Sequence, residues 1–256
     1  MRVRGYAAST PCWYEFVAID ATSAAAFYRG LFGWELVQAD IWNAFTLDGR
    51  AVAGLRQSPD GPPAGWMVYL STEDVDASVA QAVAAGGSAL LPPNEVGDRG
   101  TLALCRDTEG AVFGLWQRGR FGGAELANEP FTVTWAEIGS RDEKAAVEFY
   151  GATMGWGERV GELAEGQDYV EWISGGRVVA GMSMLGARTP AEVPPHWRII
   201  MQVEDCAETV ARCLELGGMC VVGPMFVGVG DYAHLIDPQG GSFGVVSLLP
   251  ELRDGW

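Results

Sequence analysis

Phe27-Tyr28-Arg29-Gly30-Leu31-Phe32-Gly33-Trp34 returns 122 residues later as Phe149-Tyr150-Gly151-Ala152-Thr153-Met154-Gly155-Trp156. Working outward from it, Trp13 and Asp20 return as Trp135 and Asp142 at the same step. Arg50 and Ala53-Gly54 return as Arg177 and Ala180-Gly181, a step of 127. Trp66, Asp74 and Gly86-Gly87 return as Trp197, Asp205 and Gly217-Gly218, a step of 131, and Asp107, Gly110 and Phe113-Gly114 as Asp237, Gly240 and Phe243-Gly244, a step of 130. A slowly drifting offset over half a chain is what duplication followed by loop insertion leaves, whereas a solenoid repeats every ~20–50 residues. The chain therefore divides into two modules, 1–122 and 123–256, with the Gly- and Glu-rich stretch at 118–130 as linker.

Within each module the pattern reads as two β-α-β-β-β units. Trp13 to Ile19 alternates as a strand, and Ala24, Phe27, Tyr28 and Leu31 recur at helical spacing after a cap at Thr22 or Ser23. Short strands are expected near 35–39, 42–47 and 51–56, the last two joined by the hairpin word Asp48-Gly49. The second unit opens at Trp66–Leu70, continues as a helix near 75–85 stopped by Gly86-Gly87, and closes with strands at 89–91, 101–106 and 112–117.

At 256 residues each half is long enough for its own core. A net charge of −16 excludes DNA or RNA as partner, since phosphate neutralisation needs Lys and Arg. No run approaches the ~20 apolar residues of a membrane span, and the first residues lack the apolar core of a signal peptide. The five cysteines fall at no metal-finger spacing and read as reduced, buried thiols of a cytosolic protein.

Ile19-Asp20 before Phe27-Tyr28 and Leu31-Phe32-Gly33-Trp34, Glu73-Asp74-Val75-Asp76 with Gly86-Gly87, and the Asp-x-x-Gly turns at Asp107 and Asp237 resemble the vicinal oxygen chelate superfamily. That superfamily includes glyoxalases, extradiol dioxygenases and bleomycin-resistance proteins. Phe113-Gly114-Leu115-Trp116 looks like its two-module, glyoxalase-like members of actinobacterial type. The resemblance implies an α+β fold in which each module is a half-open, eight-stranded barrel with its site on the concave face.

It also implies where a divalent metal would be held: at the start of the first strand, the opening of the fifth, and in the last. Those positions carry Trp13 and Trp135, Trp66-Met67 and Trp197-Arg198, and Gly114 and Gly244. Trp has no lone pair to give and Gly no side chain, and metals of this kind accept imidazole and carboxylate. The expectation is no metal and no cofactor.

What fills the cavities is then expected to be aromatic. Trp13 and Trp135 should face inward, with Glu15 and Glu137 two residues on along the same face. Trp42 or Trp172, Trp66 or Trp197, and Trp116 are expected nearby. Such walls suit a flat ligand, partly cationic or hydroxylated. His234, present in one module only, is a candidate acid or base with Glu137, Tyr232 or Glu171.

Two readings stay open. One is sequestration of an aromatic or hydrophobic compound, an antibiotic or polyketide. The other is a metal-free enzyme of secondary metabolism using acid–base chemistry in the second module; a metal-dependent glyoxalase or dioxygenase is disfavoured. A small molecule is the expected partner, with the chain a monomeric pseudo-dimer or a homodimer.

Overall fold

The computed structural model describes residues 1–39, 42–61, 64–161, 169–187 and 189–253, the side chains of Ala39 and Trp42 excepted. The first half contains β1 (Pro11–Ala18), α1 (Ala21–Phe32), β2 (Glu35–Ala39), β3 (Trp42–Leu47) and β4 (Arg50–Gln57). It continues with β5 (Gly65–Thr72), α2 (Val75–Ala84), β6 (Ser88–Glu95), β7 (Gly100–Arg106) and β8 (Val112–Arg118). The second half repeats the order: β9 (Val133–Ser140), α3 (Glu143–Met154), β10 (Gly157–Val160), β11 (Tyr169–Ser174) and β12 (Arg177–Met184). Then come β13 (His196–Gln202), α4 (Cys206–Glu215), β14 (Met219–Phe226), β15 (Gly230–Ile236) and β16 (Ser242–Leu248).

The strands form two eight-stranded mixed sheets of identical order, β2-β3-β4-β1-β5-β8-β7-β6 and β10-β11-β12-β9-β13-β16-β15-β14. This is the expected α+β architecture, two tandem half-open modules.

Local chemistry sets the helix ends. Asp20, Asp74, Asp142 and Asp205 sit in extended conformation as N-caps, each carboxylate accepting a first-turn backbone N–H. Asp20, rather than Thr22 or Ser23, caps α1, because its carboxylate takes both the Thr22 N–H and the Ser23 hydroxyl. At the end of α2, Gly86 is left-handed (φ +92°), with Gly87 N–H donating to Ala82 O and Gly86 N–H to Val83 O, a Schellman motif repeated at Gly217-Gly218. β6 is longer than the sequence indicates. Pro92-Pro93 falls where its pairing with β7 shifts register between Leu91 and Asn94, so the strand continues through a bulge instead of stopping.

The largest core lies between the modules. α1 packs against α4 and α2 against α3, while β5 meets β13. Tyr28 donates to Asp237 Oδ2 at 2.7 Å and receives the Trp66 indole N–H at 3.1 Å. In the other half Tyr150 donates to Asp107 Oδ2 at 3.0 Å and receives the Trp197 N–H at 3.0 Å. Gln239, two residues past Asp237, takes the backbone N–H groups of Ile19 and Asp20. Glu109, two past Asp107, takes those of Arg141 and Asp142. Each module's last hairpin thus clasps the start of the other's first helix.

These bonds leave buried carboxylates dependent on one phenol each. Burial raises the Asp237 and Asp107 carboxyls above the usual range, against the donors that favour the charge. Tyr28→Phe or Tyr150→Phe strands a buried acceptor and the indole donor beside it. Each is expected to cost about 1–3 kcal/mol, read as a lower urea midpoint. A midpoint unchanged in both would show that the reciprocal bonds do not hold the modules together.

Candidate functional site

Alternation along β1 and β5 sorts side chains between core and concave face. Tyr14 and Phe16, with Trp66, Val68 and Leu70, join the intermodule core, while Trp13, Tyr69 and the half-buried Met67 cluster on the concave side. Trp66 and Trp197 therefore belong to the core and not to the concave faces: their rings pack on Tyr28 and Tyr150. Trp172 is likewise in the core, between Tyr150 and Trp156, its indole N–H buried without a partner among the described residues. Its register partner Ala180 corresponds to Ala53, which faces Phe45, so Trp172 stands where module 1 has Phe45. The Trp42 side chain lies outside the described residues.

The first concave face encloses about 460 Å³, lined by Trp13, Glu15, Arg56, Tyr69, Leu91, Leu102, Leu104, Trp116 and Phe121 among others. Trp13 meets Phe121 edge-on at 4.8 Å between ring centres, and the Trp116 indole donates to Phe121 O at 3.0 Å. Phe121 belongs to the segment read as linker; it folds back and closes one end of the cavity. Arg99, between β6 and β7, lines it too. The polar element is compact: Glu15 Oε2 accepts from Arg56 Nε at 2.9 Å and from the Tyr69 hydroxyl at 3.1 Å.

The second concave face is charged. Register places Arg159, Glu171, Gly181, Glu137 and Arg198 in one row across β10, β11, β12, β9 and β13. The corresponding row of module 1 is Val37, Ala44, Gly54, Glu15 and Met67. Glu137 Oε1 is held by Arg198 through Nη2 and through Nε at 3.0 Å, and Oε2 accepts from Tyr169 at 3.1 Å. Tyr169 receives the Trp135 indole N–H at 2.7 Å. Arg159 pairs with Glu171 at the outer edge of the row. Ser183 accepts from Arg198 Nη2 at 3.2 Å; in module 1 that place on the strand is Arg56. Each cavity thus keeps its Glu–Arg–Tyr group while drawing Arg and Tyr from different strands.

His234 and Tyr232 rise from β15 toward this group. His234 Nε2 lies 2.6 Å from Ser242 Oγ. Burial, then the positive charge of Arg198 and the neighbouring His196, push the His234 imidazole down to about 4. Burial holds the Tyr232 phenol up at about 12, against the pull of Arg198. Both groups are neutral near pH 7. The pair named as candidate acid and base, His234 and Glu137, thus both lie near Arg198, which bonds to the carboxylate and helps push the imidazole down. Glu137 has both oxygens occupied.

The superfamily's metal positions hold residues that do not fit a divalent ion. On the concave side they are Trp13, Met67 and Gly114 in one module, Trp135, Arg198 and Gly244 in the other. A side chain at Gly114 would overlap the Tyr69 ring, and one at Gly244 would lie 2.8 Å from the Tyr232 ring. Aromatic rings fill the space a carboxylate ligand would need, and a guanidinium stands at the fifth-strand position. The described residues contain no cluster of three His, Cys, Asp or Glu that could hold a metal. Gly54 and Gly181 have the same use, since the Trp13 and Trp135 indoles cross them at 3.1 and 2.9 Å from where a Cβ would be.

Comparison with known proteins agrees with the fold. The glyoxalase-like domain family matches residues 15–116. The anthracycline biosynthesis protein DnrV of Streptomyces peucetius is 35% identical over 98% of this chain and 96% of its own. "Putative glyoxylase CFP32" of Mycobacterium tuberculosis is 34% identical over 96% of this chain and 97% of its own. Among solved structures, the 2,3-dioxygenase LapB from Pseudomonas sp. KL28 superposes with a TM-score of 0.65 at 14% identity, covering 95% of this chain and 96% of that one. The Mn(II)-bound glyoxalase from Novosphingobium aromaticivorans gives 0.63 at 16% identity, covering 97% and 90%. At these identities the two structures establish a shared fold.

The depressed imidazole has a consequence for stability. Folded His234 resists protonation down to about pH 4, whereas a free histidine titrates near 6.5. Between those values the unfolded chain binds more protons, so stability falls as pH drops through the window. His234→Leu, which installs the residue of module 1, is expected to remove roughly 1–3 kcal/mol of that fall. Urea unfolding of both proteins at pH 7 and pH 4.5 measures it, and parallel losses in the two would contradict the assignment.

Proposed function

Because the chain belongs to the vicinal oxygen chelate superfamily as a two-module, glyoxalase-like protein, we propose that it binds an aromatic or hydrophobic small molecule, antibiotic or polyketide in type, without a metal. The observation that carries this reading is the module 1 cavity. Its volume of about 460 Å³ lies within the usual ~300–1,000 Å³ of small-molecule sites, and its walls are Leu91, Leu102, Leu104, Trp13, Trp116 and Phe121. One ion pair at Glu15 and Arg56 supplies the convergent polar group such pockets need. DnrV and its Streptomyces relative DauV, both named as anthracycline biosynthesis proteins and similar along nearly the whole chain, support a polyketide-class ligand.

A catalytic role for His234 and Glu137 is supported less well. An imidazole held near 4 is a weak base at neutral pH, and Glu137 is fully engaged by Arg198 and Tyr169. Binding, with the charged groups serving recognition, accounts for both.

Anthracene, a flat ring system without polar groups, is a suitable probe of the module 1 cavity. It should bind the protein as isolated and after chelator treatment alike, read by its own fluorescence in a titration. Leu102→Trp fills the cavity from β7 and should weaken binding by at least roughly 1–3 kcal/mol while leaving the fold intact. Equal affinity in a well-folded Leu102→Trp protein would move the site out of this cavity, and dependence on a metal would end the metal-independent reading.

A further inference from the structure

The two cavities are built on the same strands, yet floor and rim have exchanged polarity. On β7, Leu102 and Leu104 pair with Trp116 and Gly114. On β15 the same places, facing Val246 and Gly244, hold Tyr232 and His234. On the edge strand the exchange runs the other way: Leu91, Asn94 and Glu95 of β6 correspond to Val222, Met225 and Phe226 of β14. Module 1 has an apolar floor under a polar rim, and module 2 a polar floor under an apolar rim. Met225 and Phe226 are 41% and 60% exposed, directly across the β14–β15 pair from Tyr232 and Asp231.

The polar floor has unused hydrogen-bonding capacity. Arg198 spends Nε and Nη2 on Glu137 and Ser183, and its Nη1 has no partner among the described residues. The Arg198 side chain is only 14% exposed, so this donor is sheltered on the second concave face. The Tyr232 hydroxyl has no partner among the described residues either. Burial keeps it protonated, and therefore a donor, at neutral pH. His234 has Nε2 on Ser242, and its Nδ1 has no partner among the described residues. On a sheltered concave face such groups recognise a ligand by the cost of leaving their hydrogen bonds unmade. Two are donors, and the third, a neutral imidazole nitrogen, donates or accepts according to its tautomer. Arg198 already shares its charge with Glu137, so the complement is a neutral oxygen acceptor and not a free anion.

We propose that module 2 is a second, separate ligand site that takes a ring system carrying a carbonyl with a neighbouring hydroxyl, seated oxygens first. The carbonyl accepts from Arg198 Nη1 and the Tyr232 hydroxyl, the ligand hydroxyl pairs with His234 Nδ1, and the apolar ring edge lies against Val222 and Met225. This rests on the reading that the cavities bind small aromatic molecules, and adds that the chain carries two sites of unlike specificity.

Equilibrium dialysis with 1,8-dihydroxyanthraquinone and with anthracene tests it. Leu102→Trp blocks module 1 and serves as the background. In that background dihydroxyanthraquinone should still bind at one equivalent, and anthracene should not. Adding Tyr232→Phe removes one hydroxyl while keeping the ring against Gly244, and should weaken dihydroxyanthraquinone about tenfold. Tyr232→Phe alone should leave anthracene binding unchanged. Loss of all dihydroxyanthraquinone binding in Leu102→Trp, or an unchanged affinity after Tyr232→Phe, would overturn the second site. Anthracene failing to bind the unaltered protein while dihydroxyanthraquinone binds would instead overturn the reading of module 1 and leave this one standing. Binding of neither probe would overturn both.

Discussion

Two phenols hold the molecule in register with itself. Tyr28 of the first module donates to Asp237 of the second, Tyr150 of the second to Asp107 of the first, and each phenol accepts an indole N–H from Trp66 or Trp197. These groups are buried, so each unmade bond would cost the desolvation of a polar group, and only the pseudo-twofold arrangement satisfies all of them. The same turns that carry the aspartates reach the backbone N–H groups at the start of α1 and α3 through Gln239 and Glu109. Trp34 and Trp156 extend the clasp, donating to Phe131 O and Ser9 O, each ahead of the other module's first strand. With the convex faces packed into this interface, the two concave faces stay clear of it.

This explains which parts of the sequence repeat most clearly. Tyr28 and Tyr150, Trp34 and Trp156, Trp66 and Trp197, and Asp107 and Asp237 are among the words that reveal the duplication, and these belong to the interface. A residue bound to its counterpart module is constrained in both copies at once. Residues on the concave faces answer to no such partner. There Met67 stands against Arg198, Leu104 against His234, and Arg56 against Ser183.

Fold class, strand order and module count were legible because they depend on periodicity, turn words and repetition. The site was legible in part. Trp13, Glu15 and Trp116 lie in the first cavity, and Glu137 and Tyr232 on the second concave face, because two-residue alternation fixes their side. Trp66, Trp197 and Trp172 were expected beside them from strand order, which does not fix the face a side chain takes, and they lie in the core instead. A strand assigned by its bulky residues does not announce which parity faces the core. The intermodule interface needs Trp as much as a pocket does. Phe121 went unread because a Gly-rich segment gives no period, although it is the lone aromatic between Trp116 and Phe131. The Glu–Arg–Tyr groups went unread for a different reason: Glu15 with Arg56 and Tyr69, and Glu137 with Arg198 and Tyr169, are long-range pairings created by strand order.

The glycines tie the lack of ligand side chains at these positions to the aromatic walls. Gly114, Gly244, Gly54 and Gly181 are each crossed by a ring of Tyr or Trp that a side chain would displace. Restoring a carboxylate at Gly114 would collide with Tyr69, whose hydroxyl is committed to Glu15, which is in turn committed to Arg56. The collision would propagate through a buried ion pair, and the same chain of dependence runs from Gly181 through Tyr169 to Glu137 and Arg198. A single substitution therefore does not recover a ligand set in either module. Both concave faces keep the glutamate, the indole and the glycines beneath the rings, while the strand that supplies the arginine and the residues of β7 and β15 differ and set polarity.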